Sequence, residues 1–152
     1  MTFAGISHIA ILLAAVVAWL GGAVYYTVLA KPWIAAQGLT VEQHKAANDA
    51  KTGIAKFAPF ILAFVAEAVM AWVLAGMVGH LGAVTIRSAV ISGLFVWAGF
   101  TVATMLANNA FAGRRYTLTL IDAGHWLLVV ARSEGAAAYR LALSGVSGAP
   151  GA

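Results

Sequence analysis

No charged side chain occurs before Lys31, and three more long apolar stretches follow it. The pattern predicts four helices, over about 3–29, 57–81, 88–111 and 116–131. Thirty uncharged residues would extend about 45 Å as a helix, against a hydrocarbon core of about 30 Å. The expected fold is therefore all-α, an integral membrane four-helix bundle formed by residues 1–132, with 133–152 as a flexible C-terminal tail.

Boundaries follow from local chemistry. Lys31-Pro32 is expected to close the first segment, since proline cannot continue a helix. Pro59 falls in the first turn of the second, where a missing N–H costs little. Gly82 supplies a break before the third. The fourth, Tyr116 to Ala131, is the weakest: it spans only about 24 Å and contains Asp122. Three helices with a re-entrant fourth is the alternative. Between the first two segments, Thr40 and Gln43 have capping-box spacing and predict a short polar helix over Val41–Ala50, lying at the membrane surface. In the Gly-, Ala- and Ser-rich tail, a short helix around Gly135–Leu143 is compatible with the sequence.

Composition agrees with the pattern. The chain of 152 residues is 62% hydrophobic and 9% charged, whereas a soluble domain carries about 25% charged residues. The net charge of +4 does not indicate nucleic acid, because the basic residues sit in short loops between apolar runs rather than on one face. Cysteine is absent, which excludes disulfides and thiol chemistry. The first segment lacks a basic n-region and is longer than a signal-peptide core, so it reads as a retained helix.

Lys and Arg set the orientation. Lys31, Lys45, Lys51 and Lys56 in the first loop and Arg114 and Arg115 in the third face Arg87, Arg132 and Arg140 on the other side. Six against three places both basic loops in the cytoplasm and both termini outside. Tyr25, Tyr26 and Trp33 flank Lys31 as an interfacial aromatic belt.

Few residues offer chemistry. Glu67 lies ten residues into the second segment, roughly 15 Å deep and near the midplane. There a carboxylate costs about 2.5–3.5 kcal/mol unless it faces protein. Ala63, Glu67, Ala71, Ala75 and Gly79 form a ridge of small side chains, which favours close helix packing. A hydrogen-bonding role for Glu67 in this seam is preferred to a proton or cation site. Asp122 and His125 are three apart and share a face. Asp122 is expected to reach back to Arg114 or Arg115, and His125 to pair with Glu67 across the bundle. Trp97, Thr101, Thr104 and Asn108 form a polar stripe on the third helix, with Asn108 capping its end. With Tyr26, these residues (Glu67, His125, Asp122, Asn108 and Thr104) predict a polar cluster in the cytoplasmic half of the bundle. No metal or other cofactor is indicated.

Several motifs point to a family. Gly22-Ala23-Val24-Tyr25-Tyr26-Thr27 with Lys31 and Trp33, then Gly38-Leu39-Thr40, resembles the first-helix signature of domain-of-unknown-function family 1761. Ala71-Trp72-Val73-Leu74-Ala75, Trp97-Ala98-Gly99-Phe100, Asn109-Ala110-Phe111, Gly113-Arg114-Arg115 and Leu120-Ile121-Asp122-Ala123-Gly124 fit it too. The resemblance covers roughly residues 5–130 and implies a small four-helix protein of the bacterial cytoplasmic membrane. It supplies no catalytic residues. The family's fourth helix continues in apolar residues, whereas Arg132-Ser133-Glu134 follow here.

The functional expectation is a non-catalytic membrane bundle, with the lipid bilayer as its surroundings and no nucleic-acid partner. Helix faces rich in small residues favour self-association, with a homodimer as the simplest form. The rival reading is a small dimeric proton-coupled transporter that uses Glu67. A membrane enzyme ranks third, because the polar groups form no nucleophile–base arrangement.

Overall fold

The computed structural model describes residues 2–3, 6–80 and 86–147. Thr2–Phe3 and Ile6–Ser7 (β1 and β2) pair as a two-residue antiparallel ladder. Their backbone groups bond to each other, so the first helix, α1, begins at His8 rather than near Phe3 and runs to Val28. Its end meets the expected bound near Leu29, but Lys31-Pro32 does not terminate the helical run. The helix breaks at Leu29, and α2 restarts over Ala30–Ala36. Pro32 thereby occupies the first turn of a new helix, where its missing N–H leaves no bond unmade. The break turns α2 toward the rest of the molecule, burying Ile34 and Ala36.

Gly38, at φ 79°, closes α2. The Gly38 N–H bonds the Ala35 carbonyl and the Leu39 N–H bonds the Ile34 carbonyl, the paired bonds of a left-handed helix stop. Helix α3 follows at Val41–Asp49. The predicted capping box starts it, with the Gln43 N–H on the Thr40 hydroxyl and the Thr40 N–H on the Gln43 amide oxygen. A 3-10 turn at Gly53–Lys56 leads into α4, Ala58–His80. The break expected at Gly82 lies outside the described residues.

The third apolar segment is one helical rod with a fault in the middle. It consists of α5 (Ile86–Val96), a π-helical stretch at Trp97–Val102, and α6 (Ala103–Phe111). Gly113, at φ 63°, ends it in the same manner as Gly38, with Arg114 N–H on the Asn109 carbonyl and Gly113 N–H on that of Ala110. The four residues Ala112–Arg115 separate α6 from α7, which begins at Tyr116. Helix α7 does not stop at Ala131. Its backbone stays helical to Ser147, through Arg132-Ser133-Glu134 and most of the expected tail. Residues 148–152 of that tail lie outside the described residues.

Three helices are long and apolar enough to cross a membrane, with spans at Ile11–Val28, Ala58–Met77 and Val90–Phe111. Tyr116–Ala131 of α7 is a shorter apolar stretch. This helix is nonetheless the centre of the packing. It contacts α1, α2 and α4 on one side and α5 and α6 on the other, whereas α4 and α5 scarcely meet. The α1–α4 seam is made of small and branched residues. Ile11 and Ala15 bury against Ala71 and Ala75, with Phe64 and Ala68 beside them. Ala71 and Ala75 of the small-residue ridge on α4 are thus used within the chain. The Trp19 indole donates to the Phe60 carbonyl and ties α1 to the start of α4.

Candidate functional site

Polar groups from four helices meet around α7. On that helix, Thr119, Asp122 and His125 recur every three residues, and Thr119 and His125 are buried. Helix α1 brings Tyr25 and Tyr26 one turn beyond Gly22, α2 brings Trp33, and α4 brings Glu67. Glu67 is 1% exposed and His125 5%.

Glu67 Oε1 lies 3.7 Å from His125 Nε2. That is ion-pair distance, somewhat longer than the 2.7–3.2 Å typical of a direct hydrogen bond. The expected pairing is therefore present in geometry, with Glu67 directed at α7. The pair is possible because α1 offers no side chain where it crosses. A Cβ at Gly22 would lie 2.5 Å from His125 Nε2 and 3.6 Å from Glu67 Oε1. The arrangement is reciprocal. A Cβ at Gly124 on α7 would lie 2.6 Å from the Tyr25 hydroxyl. Each helix uses a glycine to admit a polar side chain of the other.

Aromatic rings wall the imidazole. Its centroid is 4.9 Å from that of Tyr26, 5.0 Å from Trp126 and 5.9 Å from Tyr25. Tyr25 does not join the carboxylates; its hydroxyl donates to the Ile121 carbonyl at 2.9 Å. Tyr26 does. Its hydroxyl donates to Asp122 Oδ1 at 2.8 Å, and the Trp33 indole donates to the same oxygen at 3.1 Å. The Trp33 ring in turn meets His44 of α3 edge-on, at 5.7 Å. A connected line of side chains thus runs from α3 through Trp33, Asp122 and Tyr26 to His125 and Glu67.

Asp122 does not reach back to Arg114 or Arg115. Asp122 lies seven positions beyond Arg115, a helical rise of about 10.5 Å. The Arg115 guanidinium donates instead to the Ala35 carbonyl, fastening the start of α7 to α2.

Two expected members lie elsewhere. Thr104 and Asn108 are exposed, outside the cluster. The π stretch is the cause. The Ala103 N–H bonds the carbonyl of Ala98, five residues back, so the rod absorbs one extra residue there. Everything beyond it is rotated by one position. Asn109 therefore takes the direction that an uninterrupted α-helix would give Asn108, and its amide donates to the Thr119 hydroxyl at 2.9 Å. Trp97, at the start of the π stretch, keeps its place on α7 and donates to the Ala123 carbonyl at 2.8 Å.

Sequence reasoning did not single out Gly22, Gly124, Trp33, Thr119 or Asn109 as members of this site. Two signals were available. Thr119, Asp122 and His125 form a three-residue periodicity on α7, and each close-approach glycine sits within one helical turn of a polar aromatic or an ionisable side chain. No group of three or more His, Asp or Glu side chains spaced to hold a metal ion occurs among the described residues.

No curated protein and no solved structure matches the chain. A family model does, described as a protein of unknown function, DUF1761, over residues 9–133. That stretch holds all four apolar helical segments and every residue of the cluster. The chain belongs to the DUF1761 family.

Proposed function

We propose that the protein is a multi-pass integral membrane protein of the bacterial cytoplasmic membrane, a non-catalytic four-helix bundle. In this reading the Glu67–His125 pair and the Tyr26–Asp122–Trp33 contacts fix the register of α1, α4 and α7. One observation carries the proposal: the distribution of polarity is inverted. Phe95 and Phe100 are each 76% exposed, and Leu12, Leu62 and Val69 are exposed as well, while Glu67 and His125 are buried. In water, each large apolar side chain left outside would forgo roughly 1.5–3 kcal/mol of burial. In a bilayer that cost vanishes, and it is the ionisable side chains that must turn inward.

The basic residues support the orientation with Lys31, Lys51, Arg114 and Arg115 on the cytoplasmic side. Phe57, Phe111 and Tyr116, at the same ends of their helices, are exposed and suit the interface.

The test uses the absence of native cysteine. Nitroxide labels are placed on single cysteines at Phe95 and Phe100 in protein reconstituted into phosphatidylcholine–phosphatidylglycerol vesicles. Both labels should relax with dissolved oxygen and not with a water-soluble nickel chelate, and the protein should stay in the membrane fraction after alkaline carbonate washing. Nickel access at both positions, with release by carbonate, would contradict the reading.

A further inference from the structure

The surroundings of the Glu67–His125 pair differ sharply between its two ends. Toward the α2–α3 side stand Tyr26, Asp122 and Trp33, joined by hydrogen bonds to Asp122 Oδ1 of 2.8 and 3.1 Å. Toward the other side the described side chains close around it. Ala15 and Ala18 on α1, Ala71 and Leu74 on α4, and Val129 and Val130 on α7 are all buried and apolar. The polar line therefore has one open end and one blind end, and the blind end holds a carboxyl group and an imidazole side by side.

Such a pair is built to hold a proton. With one proton between them the two groups are neutral overall, as GluH–His or as Glu⁻–HisH⁺. Removing it leaves the pair with a net negative charge inside the protein, and adding another leaves it with a net positive one. At 3.7 Å the two groups are close enough that a proton held by one acts directly on the other. Among the residues whose side chains are described, the other titratable groups facing it are few. Helix α1 supplies Tyr25 and Tyr26, and α7 supplies Asp122. Helix α2 contributes the Trp33 indole and carries Lys31 exposed, and α3 reaches the line only through the His44–Trp33 contact. On α4 the other ionisable group is His80, at the opposite end and held on the Gly76 carbonyl. Helix α5 carries only Arg87, which is exposed.

We propose that Glu67 and His125 form a proton-binding site that equilibrates with the α2–α3 face of the molecule through Asp122 and Tyr26, and is sealed from the opposite face. The inference rests on the membrane-spanning reading and adds a ligand, the proton, and a side of entry. The net step moves one proton: a hydronium O–H bond breaks as Asp122 takes the proton, the Asp122 O–H breaks as Tyr26 receives it, and the Tyr26 O–H breaks as an O–H or N–H bond forms on the pair, which returns Asp122 and Tyr26 to their starting forms. The Tyr26 hydroxyl now donates to Asp122. Once Asp122 is protonated, that bond can reverse, with Asp122 donating to Tyr26 as the hydroxyl hydrogen turns toward the imidazole packed against its ring. No electron or other atom is transferred.

The experiment is time-resolved infrared difference spectroscopy on protein reconstituted in sealed phosphatidylcholine–phosphatidylglycerol vesicles of defined orientation, with pH steps applied outside. The infrared band of the pair, the carboxylic-acid C=O stretch lost in Glu67→Gln or the imidazolium ring stretch lost in His125→Gln according to which group carries the proton, reports the site. In vesicles with the α2–α3 face outward, this band should follow the step. With the opposite face outward, it should stay constant until a protonophore is added. Tyr26→Phe and Asp122→Asn should slow the response severalfold and leave its final amplitude unchanged. Tyr26→Phe removes one oxygen and keeps the ring, so the test survives if the Asp122 variant does not fold. A band that never changes, that follows the opposite face, or that responds at the wild-type rate in Tyr26→Phe would overturn the inference. Such a failure in protein that resists carbonate extraction leaves the membrane-spanning reading intact.

Discussion

At the residue scale, the site depends on what two glycines leave out. An alanine normally stabilises a helix over glycine by about 1 kcal/mol. At Gly22 that gain is outweighed, since the new methyl group would lie 2.5 Å from a buried imidazole already enclosed by Tyr26 and Trp126. Gly22→Ala should cost about 1–3 kcal/mol, the usual range for overpacking, and appear as a lowered Tm in detergent. Gly124→Ala should cost less, because the half-buried Tyr25 ring can swing aside at the loss of its bond to the Ile121 carbonyl. Gly99→Ala is the control. Nothing lies within 4 Å of its added carbon, so its Tm should be unchanged or higher. Tyr26→Phe should cost about 0.5–1.5 kcal/mol, one hydrogen bond. The ionisable residues themselves were legible in the sequence, because an acidic group inside a long apolar run must face protein. Their glycine counterparts were not, since close approach depends on the crossing point of two helices.

At the element scale, the two surprises have local causes. Pro32 restarts a helix rather than ending one, and the one-residue gap at Leu29 is what aims Trp33 at Asp122. The π stretch rotates α6 so that Asn109, and not Asn108, reaches Thr119. Neither is visible in a hydropathy profile: a one-residue phase shift alters which face a side chain occupies without changing the composition of the run. Deleting Gly99 should remove the extra residue and leave both flanks in phase, so the protein should remain folded and monodisperse. Deleting Leu106, within regular α-helix, should rotate Asn109 off Thr119 and lower the Tm clearly. Gly113→Ala should cost about 1–2 kcal/mol, because an L-residue is forced into the left-handed region. The capping box at Thr40–Gln43 was readable in advance because it is a contact between residues three apart, complete within the local sequence.

At the scale of the whole molecule, the weakest apolar segment proves to be the hub. Hydropathy marks the surfaces that meet lipid, so a helix in contact with α1, α2, α4, α5 and α6 can afford Thr119, Asp122 and His125 and looks less like a span for that reason. The third rod is the opposite case. It is strongly apolar and little buried, as a helix on the outside of a bundle in lipid would be. In the proposed function these helices cross a membrane with the α2–α3 loop and the Gly113 turn on the cytoplasmic side. Labelling of single cysteines in intact cells by a membrane-impermeant thiol reagent tests it most directly, using Thr52→Cys, Arg114→Cys and Arg87→Cys, all at exposed positions. Labelling is expected at position 87 only, with 52 and 114 reacting once the cells are permeabilised. Labelling of 52 and 114 in intact cells, with 87 protected, would contradict it.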